Sequence, residues 1–480
     1  MIQLNRNMSG KVFPELPERI IQFGEGVFLR AFVDWMVHEM NQKKLFNGNV
    51  VVVQPRGGST AGIINEQDGL FTLLLRGLQN GNPAEETAII SSISRGLNPY
   101  TQWDEVLRCA QDQAIEFVVS NTTEAGIVYE AADHPEMTPP ASFPAKLAVY
   151  LYHRFRYFSG DPARGIVILP CELIDRNGDN LKAIVLQLAR QWGWPGEFTA
   201  WIEKHNYFLN TLVDRVVTGY PRDEAEQLTA RLGYEDKLLN TGELFHLWVI
   251  EGPAQLAAKI PFAQAGLNVV WTDDMAPYRT RKVRILNGAH TATVPAAFLY
   301  GLETVGEMMN HDVMGAFVRQ TIKEEIVPSI KLDHAMLAEY ADAVVERFCN
   351  PFIKHYLVSI LLNSSSKFKA RVLPSLLEYR QQFGRLPERL VFSLAALISA
   401  YRPGTMKDDE WVLDFFAGVW AEYEGTAAGA AAVAAAVLSQ SRLWGQDLTL
   451  IPELKEMVAS QLQIIQQEGM QAAVGHLVRR

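Results

Sequence analysis

Five short β-branched runs, RIIQF (19–23), VVVVQ (50–54), IEFVVS (115–120), GIVILP (165–170) and LNVVW (267–271), punctuate the first 275 residues and then cease. Amphipathic stretches separate them, such as AFVDWMVHEMNQ after the first run. A strand that is apolar on both faces has to be covered on both, and helices placed between parallel strands do this. From about residue 276 the apolar residues fall at three- and four-residue spacing instead, around 312–326, 335–348, 352–362, 387–400 and 410–421, which is the helical period. The pattern predicts an α/β chain. A Rossmann-like N-terminal domain with a mainly parallel sheet spans 1–275, and a mostly α-helical C-terminal domain spans 276–480, with the loop TDDMAPY at the boundary.

Composition narrows the function classes. With 48% apolar residues in 480, large buried cores are available. A net charge of −10 argues against nucleic acid and anionic membrane, which need a concentrated basic surface, and favours a small-molecule substrate. Cys109, Cys171 and Cys349 are too scattered for a disulfide framework or a thiolate zinc site, and with no HExxH and dispersed histidines no metal is expected. The stretch MIQLNRNMSG lacks a signal-peptide core, and the longest nearly apolar run, LVFSLAALISAY (390–401), is too short to cross a bilayer, so a cytoplasmic protein is expected. The alanine-rich GTAAGAAAVAAAVL (425–438) reads as a closely packed helix, and the oligomeric state stays open.

After RIIQF the chain continues GEGVFLR, placing Gly24 and Gly26 where a dinucleotide fold needs a tight turn and close backbone approach to a pyrophosphate. Leu29 holds the place of the usual third glycine, and a simple strand-to-helix turn is the competing reading. The second strand ends in Gln54, Pro55 and Arg56, with no acidic ribose reader. Gln54 suits a ribose hydroxyl and Arg56 a 2′-phosphate, so these residues leave NAD and NADP both open. A third segment, SNTTEAG (120–126), follows a buried strand at the edge where open α/β sheets bind ligands, although an ordinary polar turn explains it equally. The candidate cofactor residues are Phe23, Gly24, Glu25, Gly26, Phe28, Arg30, Gln54, Arg56, Asn121 and Thr122.

The segment RKVRILNGAHT (281–291) carries Lys282, Asn287 and His290. At about 100° per residue they fall at roughly 0°, 140° and 80° on an α-helix, so all three can face one cavity. A base, an amide and an imidazole suit an enzyme that interconverts a carbonyl and its alcohol. Against that stand a surface lysine and a satisfied core histidine. Gly288 inside the motif would let the helix approach the first domain.

Together GEGVFLR, SNTTEAG, VDR (213–215) and the K-x4-N-x2-H of 282–290 resemble the polyol-specific long-chain dehydrogenases, the mannitol dehydrogenase family, over about 18–470. That family includes mannitol 2-dehydrogenase, mannitol-1-phosphate dehydrogenase and the hexuronate reductases. PERIIQFGEG, FVDW, PCELIDRNGD, LVDRVVTGYPRDE and RFCNPFIKH resemble its hexuronate-reducing branch. The resemblance implies NAD as cofactor, a sugar-acid substrate, and hydride transfer with Lys282 as general acid/base. It further implies Asn287 as an oxyanion-stabilising amide, His290 as the group orienting lysine and substrate, and Asp214 and Lys367 as substrate contacts. Three positions depart from mannitol 2-dehydrogenase: Leu173 replaces an asparagine, Ser359 an arginine, and Arg279 a glutamate close to Lys282. Arg279 and Lys367 make the local charge suit an acid, although the arginine lost at Ser359 pulls the other way. A catalytically silent dinucleotide sensor is the other class of function, and the intact Lys–Asn–His set favours the enzyme, since a sensor needs no proton donor.

Overall fold

The computed structural model describes residues 2–8, 13–123, 125–402, 404 and 406–478. The chain divides into two compact units, Met1–Gly77 with Ala84–Met275, and Leu78–Pro83 with Ala276–Arg480. Numbered along the chain, the strands are β1 (Glu18–Phe23), β2 (Asn49–Val53), β3 (Phe71–Gln79), β4 (Asn82–Ile90), β5 (Ile93–Leu97), β6 (Phe117–Ser120), β7 (Val167–Pro170), β8 (Tyr207–Phe208), β9 (Asn210–Asp214), β10 (Val217–Gly219), β11 (Asn240–Glu243), β12 (Leu247–Glu251) and β13 (Val269–Thr272).

Six strands form the main sheet in the order β5-β2-β1-β6-β7-β8, and every neighbouring pair is parallel. The chain steps outward from β1 through β2 to β5 on one side and from β6 through β7 to β8 on the other. The order therefore reverses between β1 and β6, and the crevice outside their carboxyl ends is where such sheets bind ligands. Continuous apolar runs are what this sheet demands. Val50 and Val52 of β2 join Ile20, Phe117, Val119 and Leu169 in one buried cluster, while Val51 and Val53 join Ile21, Phe23, Val118 and Ile168 in another. Alternate residues of one strand thus feed opposite cores.

Two smaller sheets correct the simpler expectation. The run LNVVW does not extend the main sheet: β13 pairs parallel with β12, which pairs antiparallel with β9 in a separate three-stranded sheet. A further sheet runs β10-β11-β3-β4 and contains the β3–β4 hairpin, which alternation of strand and helix does not foreshadow. Its local signal is Asn80-Gly81, both in the left-handed region at φ 52° and 76°, the requirement of a two-residue hairpin turn.

The second unit is helical. Beyond β13 the only extended pairing among the described residues is an isolated bridge between Thr304 and Tyr356. The helix Gly288–Tyr300 buries Ala289, Ala292, Val294, Ala296 and Ala297 fully and packs on Glu388–Ala400, itself buried along most of its length. The alanine-rich run forms the helix Ala427–Ser439, whose first turn is capped by Thr426, and it packs on Leu454–Glu468. The expected helix over 352–362 shrinks to Leu357–Ile360, because Pro351 lacks an N–H and the Asn350 side chain accepts from Phe352 N at 3.0 Å, favouring a turn. Among the described residues no helix is long and apolar enough to cross a membrane.

Candidate active site

At the carboxyl end of β1 the chain turns through Gly24, whose φ of 139° is in the region that favours glycine. A Cβ there would stand 2.9 Å from both the Asn121 carbonyl oxygen and Leu29 Cδ1. Leu29, in place of the fingerprint's third glycine, therefore packs against the first. Gly26 caps the helix that starts at Val27, and a Cβ on it would meet nothing within 4 Å. Space in front of a helix start whose N–H groups lack intrahelical partners fits a dinucleotide pyrophosphate. The helix continues to Gln42 through a π-helical turn at Arg30–Asp34.

Several candidate cofactor residues hold this turn from behind. The Phe23 ring is buried against Phe143 and Tyr150 at centroid distances of 5.3 and 6.4 Å, so its side chain belongs to the core. Arg30 is 6% exposed, and its guanidinium donates to the carbonyls of Glu25 and Leu238 beside the Phe71 ring. Phe28 stacks on Phe32 at 5.0 Å. Glu25 is half-buried, and burial raises its pKa. Gln54 is buried, with Nε2 donating to Arg56 O at 2.6 Å and Oε1 accepting from Ala61 N at 3.0 Å, so its carboxamide shapes the loop after β2. Arg56 is exposed at that edge.

The loop after β6 is anchored by a residue that sequence reasoning did not single out. Glu172, 2% exposed just after β7, accepts from Ser120 Oγ, Thr122 N and Thr122 Oγ1 at 3.0, 2.9 and 3.0 Å, and burial raises its pKa. Asn121 Nδ2 donates to Cys171 O at 2.9 Å. Thr122 and Asn121 are thereby fixed beside the β1 turn at the switch point. Glu124, the carboxylate of the SNTTEAG loop, lies outside the described residues.

In the second unit the regular α-helix assumed for the lysine motif gives way to a π-helix over Lys282–Asn287, followed by the α-helix Gly288–Tyr300. Bonding from i to i+5 places Asn287 one wide turn from Lys282, nearer in azimuth than α geometry gives. Arg284 points away: its guanidinium is buried, donating to Ser375 Oγ at 2.6 Å, Ser329 Oγ at 3.2 Å and both oxygens of Glu378 at 3.2 Å. The guanidinium of Arg281 lies 4.4 Å from the Tyr340 ring centroid. Gly288 serves a contact within this unit, since a Cβ on it would come 3.0 Å from the Arg371 carbonyl oxygen.

Two polar atoms of the motif are sealed without satisfaction. Among the described residues Asn287 Oδ1 and His290 Nε2 are buried and have no hydrogen-bond partner. His290 stacks on Phe348 at 4.0 Å and meets the edge of His355 at 5.1 Å. Burial, reinforced by His355, Arg347 and Arg371, holds its pKa well below the ordinary value, so the imidazole is neutral near pH 7. Buried polar atoms without a partner cost stability and are expected where a ligand supplies the partner.

The remaining candidates lie on other elements. Asp214 is buried at the end of β9, and the guanidinium of Arg215 beside it donates to the carbonyls of Ala31, Glu243 and Leu244 at 2.7, 2.9 and 3.2 Å. Lys367, on the helix Ser364–Arg371, donates to Ile360 O at 2.9 Å, and burial together with Arg371 lowers its pKa. Arg279 sits on the helix Ala276–Arg281, one turn before Lys282. Leu173 is 59% exposed. Ser359 Oγ donates to Tyr356 O at 2.7 Å.

Residues 18–264 match the mannitol dehydrogenase Rossmann domain, and 274–466 match the mannitol dehydrogenase C-terminal domain. Altronate oxidoreductase of Bacillus subtilis is 48% identical over 475 residues, covering 99% of this chain and 98% of that protein. Altronate oxidoreductase of Escherichia coli is 46% identical over 478 residues, covering 98% and 99%. The fold is similar to that of Pseudomonas fluorescens mannitol 2-dehydrogenase in a ternary complex with NAD and D-mannitol, at TM-score 0.72 and 22% identity over all of both chains. It is also similar to D-sorbitol dehydrogenase in substrate-free form, at TM-score 0.80 and 22% identity over 99% of this chain and 100% of that one.

Proposed function

We propose, because this chain belongs to the mannitol dehydrogenase family and is a dehydrogenase acting on CH–OH with a nicotinamide dinucleotide, that it interconverts D-tagaturonate and D-altronate with NAD(H). The observation that carries the chemistry is the pair of sealed, unpartnered atoms, Asn287 Oδ1 and His290 Nε2, on the helical segment that carries Lys282. The substrate pair is supported by relatives at 46–48% identity over nearly the full length that are named altronate oxidoreductases.

When bound, the dinucleotide gives or takes the hydride. The chain's work is at the oxygen. Lys282 delivers a proton to the carbonyl oxygen during reduction and removes it from the hydroxyl during oxidation. Asn287, held one π-turn away, donates its amide N–H to the same oxygen as charge grows there, while its Oδ1 takes a proton donor from lysine or substrate. His290, kept neutral by burial, orients the lysine and a neighbouring substrate hydroxyl without adding a competing charge. Lys367 and Arg279 balance the substrate carboxylate, a group that is costly to desolvate without a cation or several donors.

The test is kcat/KM for tagaturonate, fructuronate and fructose on one preparation, with NADH and then NADPH. Tagaturonate with NADH is expected to be the most efficient pair. Equal efficiency with neutral fructose means that no carboxylate is read and removes the substrate assignment, and equal efficiency with NADPH removes the preference for NAD.

A further inference from the structure

Three carbonyl oxygens around the glycine turn are each taken by a side chain from a different element. Gln22 of β1 donates from Nε2 to Gly24 O at 3.0 Å. Arg30, from the π-helical turn, donates to Glu25 O at 3.3 Å. Asn240 of β11, fully buried, donates from Nδ2 to Val27 O at 2.8 Å. Gln22 is itself fully buried and held by Asp34, whose Oδ2 accepts from the same Nε2 at 3.2 Å. Arg30 N–H bonds the fourth carbonyl, that of Gly26, at 3.2 Å and also reaches Val27 O, so Asn240 reinforces a bond within the helix, whereas Gly24 O is taken by the Gln22 side chain.

A peptide unit whose oxygen is fixed toward the protein has its N–H directed the other way, because the group is planar. At a helix start those N–H groups have no intrahelical acceptor and are the donors available to an anion. An outward-facing carbonyl would repel the same anion. This arrangement has a cost: among the described residues Gln22 Oε1, Asp34 Oδ1 and Asn240 Oδ1 are buried without partners.

We propose that Gln22 and Asn240, with Arg30, are positioning residues for the dinucleotide: they hold the carbonyls of Gly24, Glu25 and Val27 inward so that the amide groups of the turn meet the pyrophosphate already oriented. The proposal rests on the dinucleotide assignment and is independent of which sugar acid reacts. Loss of one clamp lets the turn sample orientations that expose a carbonyl, and only molecules carrying the pyrophosphate feel the difference.

The test uses the near-isosteric variants Gln22→Met and Asn240→Leu in the full-length protein, with binding followed by NADH fluorescence and by calorimetry with ADP-ribose and with adenosine. Each variant is expected to weaken NADH and ADP-ribose by roughly five- to tenfold, the scale of one hydrogen bond, and to leave adenosine unchanged. Unchanged affinity for ADP-ribose overturns the proposal. An equal loss for adenosine also overturns it, because a side chain that merely supports the fold weakens every ligand alike. The two residues lie on different strands, so failure of one variant to fold leaves the other decisive. No sugar acid enters the measurement, and its outcome is separate from that of the substrate assignment.

Discussion

The glycine turn after β1 and the lysine motif of the second unit both contain a π-helical turn, Arg30–Asp34 in one and Lys282–Asn287 in the other, yet they use their polar groups in opposite ways. At the turn, side chains are drawn in to hold main-chain carbonyls. At the motif it is the side chains that, under the proposed function, would do the work; unmet polar atoms occur at both places, Asn287 Oδ1 and His290 Nε2 at the motif and Gln22 Oε1, Asp34 Oδ1 and Asn240 Oδ1 at the turn. A pyrophosphate carries permanent charge that fixed main-chain donors can meet, whereas a proton in transit needs a side chain able to change partners. Mutations at the turn are therefore expected to act on cofactor affinity, and mutations at the motif on turnover.

The sharpest break would come from Lys282→Ala. Its turnover is expected to fall by about 100- to 10,000-fold while NADH affinity measured by fluorescence stays near that of the parent. Retention of most turnover at neutral pH would remove the proton-transfer role. Asn287→Leu, which keeps the volume and deletes the amide, is expected to lower kcat by about 100- to 1,000-fold with cofactor affinity again preserved. A change confined to KM for the sugar acid would make Asn287 a binding group only.

Arg284→Met, two positions from the lysine, tests whether the side chains of one motif divide between chemistry and fold. Its guanidinium bridges Ser375, Ser329 and the partly exposed Glu378, so the variant should lose about 2 kcal/mol of stability, read as a lower Tm, and keep its kcat per folded molecule. A kcat loss comparable to that of Asn287→Leu would put Arg284 in the site.

The smallest expected effects are opposite pH slopes. Burial raises Asp34 to about 7. Between its unfolded value near 3.9 and about 7 the folded state keeps a proton that the unfolded state has lost, so this contribution is full in acid and disappears as pH rises through that window. His290 is depressed, so its contribution is full above the unfolded value near 6.5 and is lost as pH falls below it. Asp34→Asn should flatten the first slope and His290→Gln the second in denaturant titrations run across pH 4 to 8. An Asp34→Asn profile with the parent's slope unchanged over the lower window would mean that Asp34 is ionised in the native protein.

Position in the sequence indicated more of the lysine motif than of the cofactor turn. Lys282, Asn287 and His290 are a base, an amide and an imidazole whose spacing lets them share one helical face, a grouping that the sequence displays by itself. Gln22, Asp34, Asn240 and Glu172 gave no comparable signal, because each is an ordinary polar residue at the end of an apolar run and becomes informative only when its partner is known. Gln54 and Arg30 show the converse. Each stands where a cofactor contact is expected, and each spends its donors on main-chain carbonyls of its own unit.

The sequence by itself determined the parallel main sheet, through β-branched runs that need cover on both faces, and the change to helices near residue 275, through the change of hydrophobic period. Those are local properties of the chain, set by side-chain branching and polarity within a few residues. Only the tertiary structure decided that β13 leaves the main sheet, that the lysine motif is wound as a π-helix, and which polar side chains hold the glycine turn. Each of these depends on hydrogen bonds between residues whose pairing no local period encodes: Asn240 meets Val27 across more than 200 positions of chain, and neither residue carries a mark of the other.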